Sequence, residues 1–277
     1  MMDLHVHTYY SDGTKSPEEV VRLASESGVA IIAITDHDGT DGIPEAIEAG
    51  KKYGVRVIPG IEISVSNPGG DMHILGYNID IYNKRFIAEV EIMRKHRAER
   101  NEAMFKAFAE IGIEITEEEI REFAYTDYIG KPQFARVLIK RGLVENAEQA
   151  FASERFFRAP EIRRIPRKKP TPEEGIRMIL EAGGIPVLAH PSTLRLTPEE
   201  LDARLDELES YGLMGMECYY SGHDEKQTED FVRIARKHGL MITAGSDYHG
   251  EELGSNIEIG MGRGKNLGVS KKELPFL

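Results

Sequence analysis

Two hydrophobic periods alternate along the chain. Short apolar runs at residues 3–6, 30–34, 55–59, 71–76, 185–189, 213–218 and 240–244 read as seven strands. Between them, residues 16–27, 43–53, 172–181, 198–211 and 225–238 space apolar positions three and four apart, as amphipathic helices do. The helix starts carry matching chemistry. Ser16-Pro17-Glu18-Glu19, Thr171-Pro172-Glu173-Glu174 and Thr197-Pro198-Glu199-Glu200 each place a capping hydroxyl before a proline in the first turn, then carboxylates at the positive end of the helix dipole. Gly28, Gly54, Gly183, Gly212 and Gly239 close helices just before strands. Such alternation predicts a parallel sheet with crossover helices, either a barrel or an open doubly wound sheet.

The middle of the chain breaks the rhythm. Residues 84–111 form one long helical pattern, followed by shorter ones at 116–123, 132–141 and 145–152 and a return rich in Pro and Arg, RAPEIRRIPRKKP. The expectation is a helical insertion domain, residues 83–169, within a discontinuous α/β domain formed by residues 1–82 and 170–277. Charge separates the two. The chain carries net charge −12, yet residues 83–169 hold 19 Lys/Arg against 15 Asp/Glu, leaving 16 against 32 elsewhere. Ordinary solvated helix faces are the competing explanation of this basic segment. The acidic whole argues against non-specific binding of duplex DNA. No apolar run approaches a membrane span, and MMDLHVHTYYSDG lacks the basic-then-apolar order of a secretory signal. The single cysteine, Cys218, excludes an internal disulfide and fits a reducing compartment, so a cytoplasmic location is expected. It lies in an apolar strand and is expected in the core.

The chemistry gathers in histidines. Six of nine, His5, His7, His37, His73, His190 and His249, fall at or near strand ends. Asp3-Leu4-His5-Val6-His7 sets two imidazoles on one face of a strand, because side chains alternate with period two. Asp12 follows in a Ser-Asp-Gly turn, Glu62 follows the third strand, and Asp247 precedes His249 beyond the seventh. Any one of these has an ordinary reading as a turn residue or a hydrogen-bonded loop histidine. Their recurrence at one end of a parallel fold points instead to imidazoles bridged by carboxylates around several metal ions.

The ordered set HxH, TDHD, GIE, an isolated histidine, AHP and GSDYH resembles the PHP superfamily (polymerase and histidinol phosphatase). HILGY, GKPQFAR, AHPS, GMECYYSGH and the helical insertion look most like its phosphoesterases acting on nucleoside 3′,5′-bisphosphates and on 5′ ends of short RNA. Lys131 and Gln133 stand where a GRPH-like motif would place Arg and His. The resemblance implies a distorted (β/α)7 barrel and two to three divalent ions, of Mn, Fe or Zn. It assigns His5, His7, Glu62 and Asp247 to the first ion, and Glu62, His73 and His190 to the second, with Glu62 bridging. Asp12, His37 and His249 would hold the third. It further implies that a hydroxide shared by two ions attacks phosphorus in line. Asp247, Glu62 and His190 are then the catalytic residues, and Asp247 or a neighbouring histidine the donor to the leaving group. Arg97, Arg100, Lys131, Arg136 and His223 are the expected contacts to a small phosphorylated substrate. The competing expectation pairs Arg97 and Arg100 with Glu99 or Glu102 on a solvated helix. Other functions are a histidinol-phosphate phosphatase, a polymerase-type exonuclease module, and a non-catalytic metal-binding domain, the last disfavoured because all nine ligand positions are filled. Neither duplex DNA nor a membrane is an expected partner. Residues 260–277 lack the strand–GxxxxGK[ST]–helix order of a phosphate loop, so a surface loop is expected.

Overall fold

In the computed structural model, which describes residues 1–250 and 256–267, seven strands lie side by side in chain order. They are β1 (Met2–Val6), β2 (Ile31–Ile34), β3 (Arg56–Val65), β4 (Met72–Tyr77), β5 (Ile185–Leu188), β6 (Gly215–Tyr220) and β7 (Met241–Gly245). The His7 amide donates to the Tyr248 carbonyl at 2.9 Å and the Asp247 amide to the His5 carbonyl at 2.8 Å, so the end of β7 meets β1. The sheet thus curls into a distorted (β/α)7 barrel. Helices α1 (Pro17–Glu26) and α2 (Ile43–Tyr53) cover one side. Both faces of the short strands are therefore buried, which is why β2 reads as an unbroken apolar run, while β1 buries Asp3 and His5 among its apolar residues.

One strand runs the wrong way for a wholly parallel sheet. β4 is antiparallel to both β3 and β5. The cause is the connection: six residues, 66–71, join β3 to β4, too few for a crossover helix. The chain therefore turns straight back, and the beginning of β4, not its end, reaches the face where the other strands finish. β3 also extends beyond its expected end at residue 59, so Glu62 lies within the strand rather than after it.

The middle segment forms α3 (Lys84–Glu110), α4 (Glu117–Arg121), α5 (Lys131–Lys140), α6 (Ala147–Ala152) and α7 (Pro160–Arg163). The short α7 lies in the return where no element is expected, with Pro160 in its first turn. α3 joins two cores. Phe86, Val90 and Met93 pack into the barrel cluster, whereas Met104 and Phe108 belong to a second cluster with Phe134, Leu138 and Phe157. The remaining helices, α8 (Pro172–Glu181), α9 (Pro198–Ser210) and α10 (Glu225–His238), return to the barrel. Ser16, Thr171 and Thr197 each accept from the amide three residues on, in reciprocal capping boxes. Where a loop is expected from Gly260 onward, Gly262–Arg263 form β9, which pairs with the preceding β8 (Ile257–Glu258). Residues 268–277 of that loop lie outside the described residues. No described helix is long and apolar enough to cross a membrane.

Phe134 is fully buried and stacks on Phe108 with ring centroids 5.6 Å apart. Phe134→Ala should therefore cost about 3–5 kcal/mol of stability, measurable as a lower urea midpoint with unchanged slope.

Candidate metal centre

Period two places His5 and His7 on the inner face of β1, and the strand is too buried to offer them water. Their other ring nitrogens are already committed. His5 Nδ1–H donates to Glu217 Oε1 at 3.0 Å, and His7 Nδ1–H faces Ser11 Oγ at 3.4 Å while Ser11 gives its own proton to Asp36. The two Nε2 atoms are then left facing each other at 3.1 Å. Two imidazole lone pairs cannot stay that close unless a proton or a metal ion lies between them. Glu62 Oε2, Asp247 Oδ1 and His37 Nδ1 are likewise buried without a hydrogen-bond partner. His37 Nδ1 lies 2.8 Å from Glu62 Oε2, but out of line for a hydrogen bond. Inward-facing donor atoms of this kind fit divalent cations.

Glu62 is the hub. Its Oε1 meets His73 Nδ1 at 2.8 Å, His190 Nε2 at 2.9 Å and His5 Nε2 at 3.5 Å. Its Oε2 meets His37 Nδ1 and, at 3.4 Å, His7 Nε2. Asp247 Oδ1 lies 3.1 Å from His7 Nε2 and 3.4 Å from His5 Nε2, held by a 3.1 Å hydrogen bond from the Tyr220 hydroxyl to its other oxygen. Asp12 receives His249 Nε2 at 3.1 Å and His37 Nε2 at 3.6 Å. All nine candidate ligands thus converge in one cluster. Compact donor groups form around His5, His7 and Asp247; around His5, Glu62 and His190; around His37, Glu62 and His73; and around His7, Asp12, His37 and His249. His73 and His190 reach the same Glu62 oxygen, but the compact groups pair His190 with His5 and His73 with His37.

The backbone is bent to serve this cluster. His190 and Asp247 adopt positive φ, 24° and 57°, an unfavourable region for side chains of their kind. The His190 amide donates to Glu217 Oε2 at 2.8 Å, which holds that turn. Gly245 has no alternative, because a Cβ there would lie 2.1 Å from that of His5 and 2.5 Å from Glu217 Oε1.

Charges in the metal-free cluster are strongly coupled. Burial alone would keep the imidazoles neutral, but Glu62 and Asp12 raise His37 to about 9, and Asp12 and Asp247 raise His249 to about 10. His5 is likewise raised well above its ordinary value, despite burial, by Glu217, Asp247 and Glu62. His7, penalised by burial and by the neighbouring His249, is pushed down to about 4. Burial raises the Glu62 carboxyl, yet the surrounding imidazoles outweigh it and hold it well below the usual range.

The PHP domain model matches residues 3–112. A 5′-3′ exoribonuclease of Haemophilus influenzae is 30% identical over 261 residues, spanning 93% of this chain and 94% of the relative. The chain belongs to the PHP family. A 3′,5′-nucleoside bisphosphate phosphatase of Chromobacterium violaceum is 29% identical over 90% of the chain and 87% of its own length. Among solved structures, one from Bifidobacterium adolescentis described as a metal-dependent phosphoesterase superimposes with a TM-score of 0.83 at 31% identity, covering 95% of this chain and 91% of that one. An amidohydrolase from Chromobacterium violaceum with bound sulfate reaches 0.86 at 28% identity, over 94% and 89%. As a PHP protein the chain is a metal-dependent phosphoesterase, a hydrolase.

The expected substrate contacts divide. Arg97, Arg100 and Lys131 line a cleft of about 1250 Å³ that also receives Asp12, His37 and His73. Arg97 pairs with Asp38 and lies over the Tyr128 ring at 4.4 Å, instead of pairing along its own helix. Glu99 pairs with Lys168. Arg136 turns away from the cleft, its guanidinium donating to the Asp12 carbonyl at 2.7 Å and to the Phe123 carbonyl at 3.3 Å. His223 also turns inward, donating through Nδ1 to the Cys218 carbonyl at 2.9 Å under the Tyr220 ring. Neither lines the cleft. Gln133 bonds the Gly130 amide and the Ser11 carbonyl, tying α5 to the loop that carries Asp12. Glu217, fully buried in β6, was not among the sequence candidates. Its signal is a lone carboxylate inside GMECYY, between the buried Met216 and Cys218.

Glu62→Gln should deplete metal across the whole PHP centre. Glu217→Gln should retain it with affinity about ten- to a hundred-fold weaker, read by chelator competition and metal analysis. Loading the metal-free protein at pH 7.5 should release protons, because His37 and His249 must lose theirs to become ligands. Apparent affinity should then fall as pH falls. Calorimetry in buffers of different ionisation enthalpy counts those protons.

Proposed function

We propose that this PHP protein hydrolyses phosphate monoesters of nucleotides, namely nucleoside 3′,5′-bisphosphates and the 5′ ends of short RNA. The observation that carries this reading is the pairing of two unlike walls in one cleft: Asp12, His37 and His73 of the nine-residue cluster on one side, and the cations Arg97, Arg100 and Lys131 on the other. The relatives named bisphosphate phosphatase and exoribonuclease support it. Residues 83–169 act as a cap over the barrel of residues 1–82 and 170–277. Two to three ions of Mn, Fe or Zn suit the mixed nitrogen and oxygen donors. When bound, they supply Lewis acidity at phosphorus and lower the pKa of water towards neutrality.

The chain's own residues do the rest. Glu62, His5, His7, His73, His190 and Asp247 fix the central ions, and Asp12, His37 and His249 form the neighbouring group. Asp247, oriented by Tyr220, or a neighbouring histidine is the proton donor to the leaving oxygen in this reading. Lys131 and Arg100 meet the non-reacting phosphate. Arg97 holds the His37–Asp38 turn under the same phosphate. Arg136 and His223 act behind the surface, by fixing the Asp12 loop and the end of β6. A histidinol-phosphate substrate would leave most of this cationic cleft unused. A reducing cytoplasm suits the one cysteine, which is buried.

Burial and the neighbouring Arg167 and Arg100 push Lys131 down to about 8. It is therefore charged below that pH and neutral above it. With a nucleoside 3′,5′-bisphosphate, kcat/KM should fall as pH rises through 8, and Lys131→Arg should remove that limb. Lys131→Ala should lose about ten- to a hundred-fold on the bisphosphate while a minimal aryl phosphate is spared. Phosphate release from the bisphosphate, 5′-phosphorylated RNA and histidinol phosphate, measured in parallel, tests the substrate class. Preference for histidinol phosphate would overturn it.

A further inference from the structure

Residues 260–267, GMGRGKNL, lack the order of a phosphate loop, yet they are not an idle surface turn. The Gly260 amide donates to Asp3 Oδ2 at 2.8 Å, and the other oxygen of Asp3 accepts the Ser246 amide at 2.8 Å, one residue before Asp247. The Asn266 side-chain amide donates to the carbonyls of Tyr220 and Ser221 at 3.1 Å and of His223 at 3.3 Å. Its Oδ1 accepts the Arg263 amide at 3.1 Å. Gly262 lies between these anchors at φ 70°, and a Cβ there would come within 2.4 Å of Asn266 Oδ1. The β8–β9 hairpin is thus fastened to the ends of β6 and β7, which carry Tyr220 and Asp247.

Arg263 is the side chain that this fastening presents. Most cations lining the cleft belong to residues 83–169, and the barrel contributes Arg195 and Arg263. Arg263 is exposed and makes no ion pair with a described residue. An exposed guanidinium is well solvated, so the missing partner alone says little. The bracing says more. A solvated arginine does not need its strand pinned from two sides, whereas one that must meet a group at a fixed place does. Its side of the cleft is also distinctive. β2 and β6 lie on opposite sides of the seven-strand barrel, and Arg97 pairs with Asp38 just beyond β2. Arg263 therefore approaches from across the mouth, on the side of Tyr220, whose hydroxyl holds Asp247.

We infer that Arg263 is a further catalytic residue of the phosphoesterase reaction, its guanidinium taking a non-bridging oxygen of the phosphoryl group that reacts at the metal cluster. Arg100 and Lys131 on the far wall are then left for the rest of the substrate. A planar fork suits two phosphoryl oxygens, and a fixed cation there offsets their charge as the ester bond to the leaving oxygen breaks. The inference rests on phosphoester hydrolysis at this cluster and is independent of the nucleotide reading.

Arg263→Ala and Arg263→Lys are compared with the unaltered, metal-loaded protein. Arg263→Ala should lower kcat/KM about ten-fold on a minimal aryl phosphate and by a similar factor on a nucleoside 3′,5′-bisphosphate, with metal content unchanged. That pattern is the opposite of Lys131→Ala, which spares the aryl phosphate. Arg263→Lys should recover part of the loss, since it keeps the charge without the fork. Calorimetry gives a readout apart from turnover: inorganic phosphate should bind Arg263→Ala about ten-fold more weakly. Asn266→Ala tests the bracing. It should lower kcat/KM by itself and add nothing to Arg263→Ala, because it acts through Arg263. A loss confined to the bisphosphate would move Arg263 to the non-reacting phosphate and overturn the inference. Unchanged turnover with unchanged phosphate binding, or a loss of bound metal, would overturn it as well, and additive losses in the double variant would overturn the bracing. If the bisphosphate is not hydrolysed the nucleotide reading fails, and the aryl phosphate and calorimetry still decide Arg263.

Discussion

A single buried carboxylate organises the barrel's open end. Glu62 is almost wholly removed from solvent and lies within 3.5 Å of five imidazoles, His5, His7, His37, His73 and His190. Such a charge is tolerable in a low-dielectric interior only when cations surround it. Raised imidazoles such as His5 and His37 do this in the metal-free cluster, and bound metal ions would take the place of those protons. The reversed β4 follows from the same demand. Ser64 pairs with His73 across the β3–β4 ladder, and period two sets Glu62 on the same face two residues away. A parallel β4 would have carried His73 to the other end of the barrel.

Around that hub the protein separates its charges. The acidic barrel supplies the candidate ligand carboxylates, and the basic middle segment supplies cations to the facing wall of the cleft. The bias is global in composition yet local in use. Many cap cations are spent on structure, as in Arg141 with Glu119 and Arg164 with Glu110. Arg100 and Lys131, which line the cleft, are both pushed below their usual pKa, chiefly by burial.

Much of this was legible in the chain. The strand-end histidines could be found because period-two alternation and helix–strand rhythm both imply one common face, and a set repeated on most strands is hard to produce by accident. The direction of β4 was not legible from the apolar pattern, since a buried strand looks the same in either sense. The six-residue link that dictates it emerges only once β3 is seen to run on to Val65. Arg136 and His223 show a second limit: sequence gives the position of a long or polar side chain but not where it turns. Arg136 spends its guanidinium on two carbonyls, and His223 points into the barrel wall. Glu217 was missed because one carboxylate in a strand is unremarkable until its neighbours are known to be imidazoles. The short α7 falls below the length at which periodicity can be read.

The anchors between cap and barrel have an evolutionary consequence. Arg94 and Arg97 of α3 grip Asp41 and Asp38 beside His37, while Gln133 and Arg136 of α5 hold the backbone of Ser11 and Asp12. Each anchor ends within a few residues of a candidate metal ligand, His37 or Asp12. A cap borrowed from another barrel would bring its own cleft but not these grips, and the ligand loops beneath would lose their bracing. The insertion is therefore poor material for domain shuffling. Changes in substrate range are most readily accommodated at exposed positions of the cleft wall such as Arg163 and Arg167, where a side chain can vary without disturbing the loops that carry Asp12 and His37.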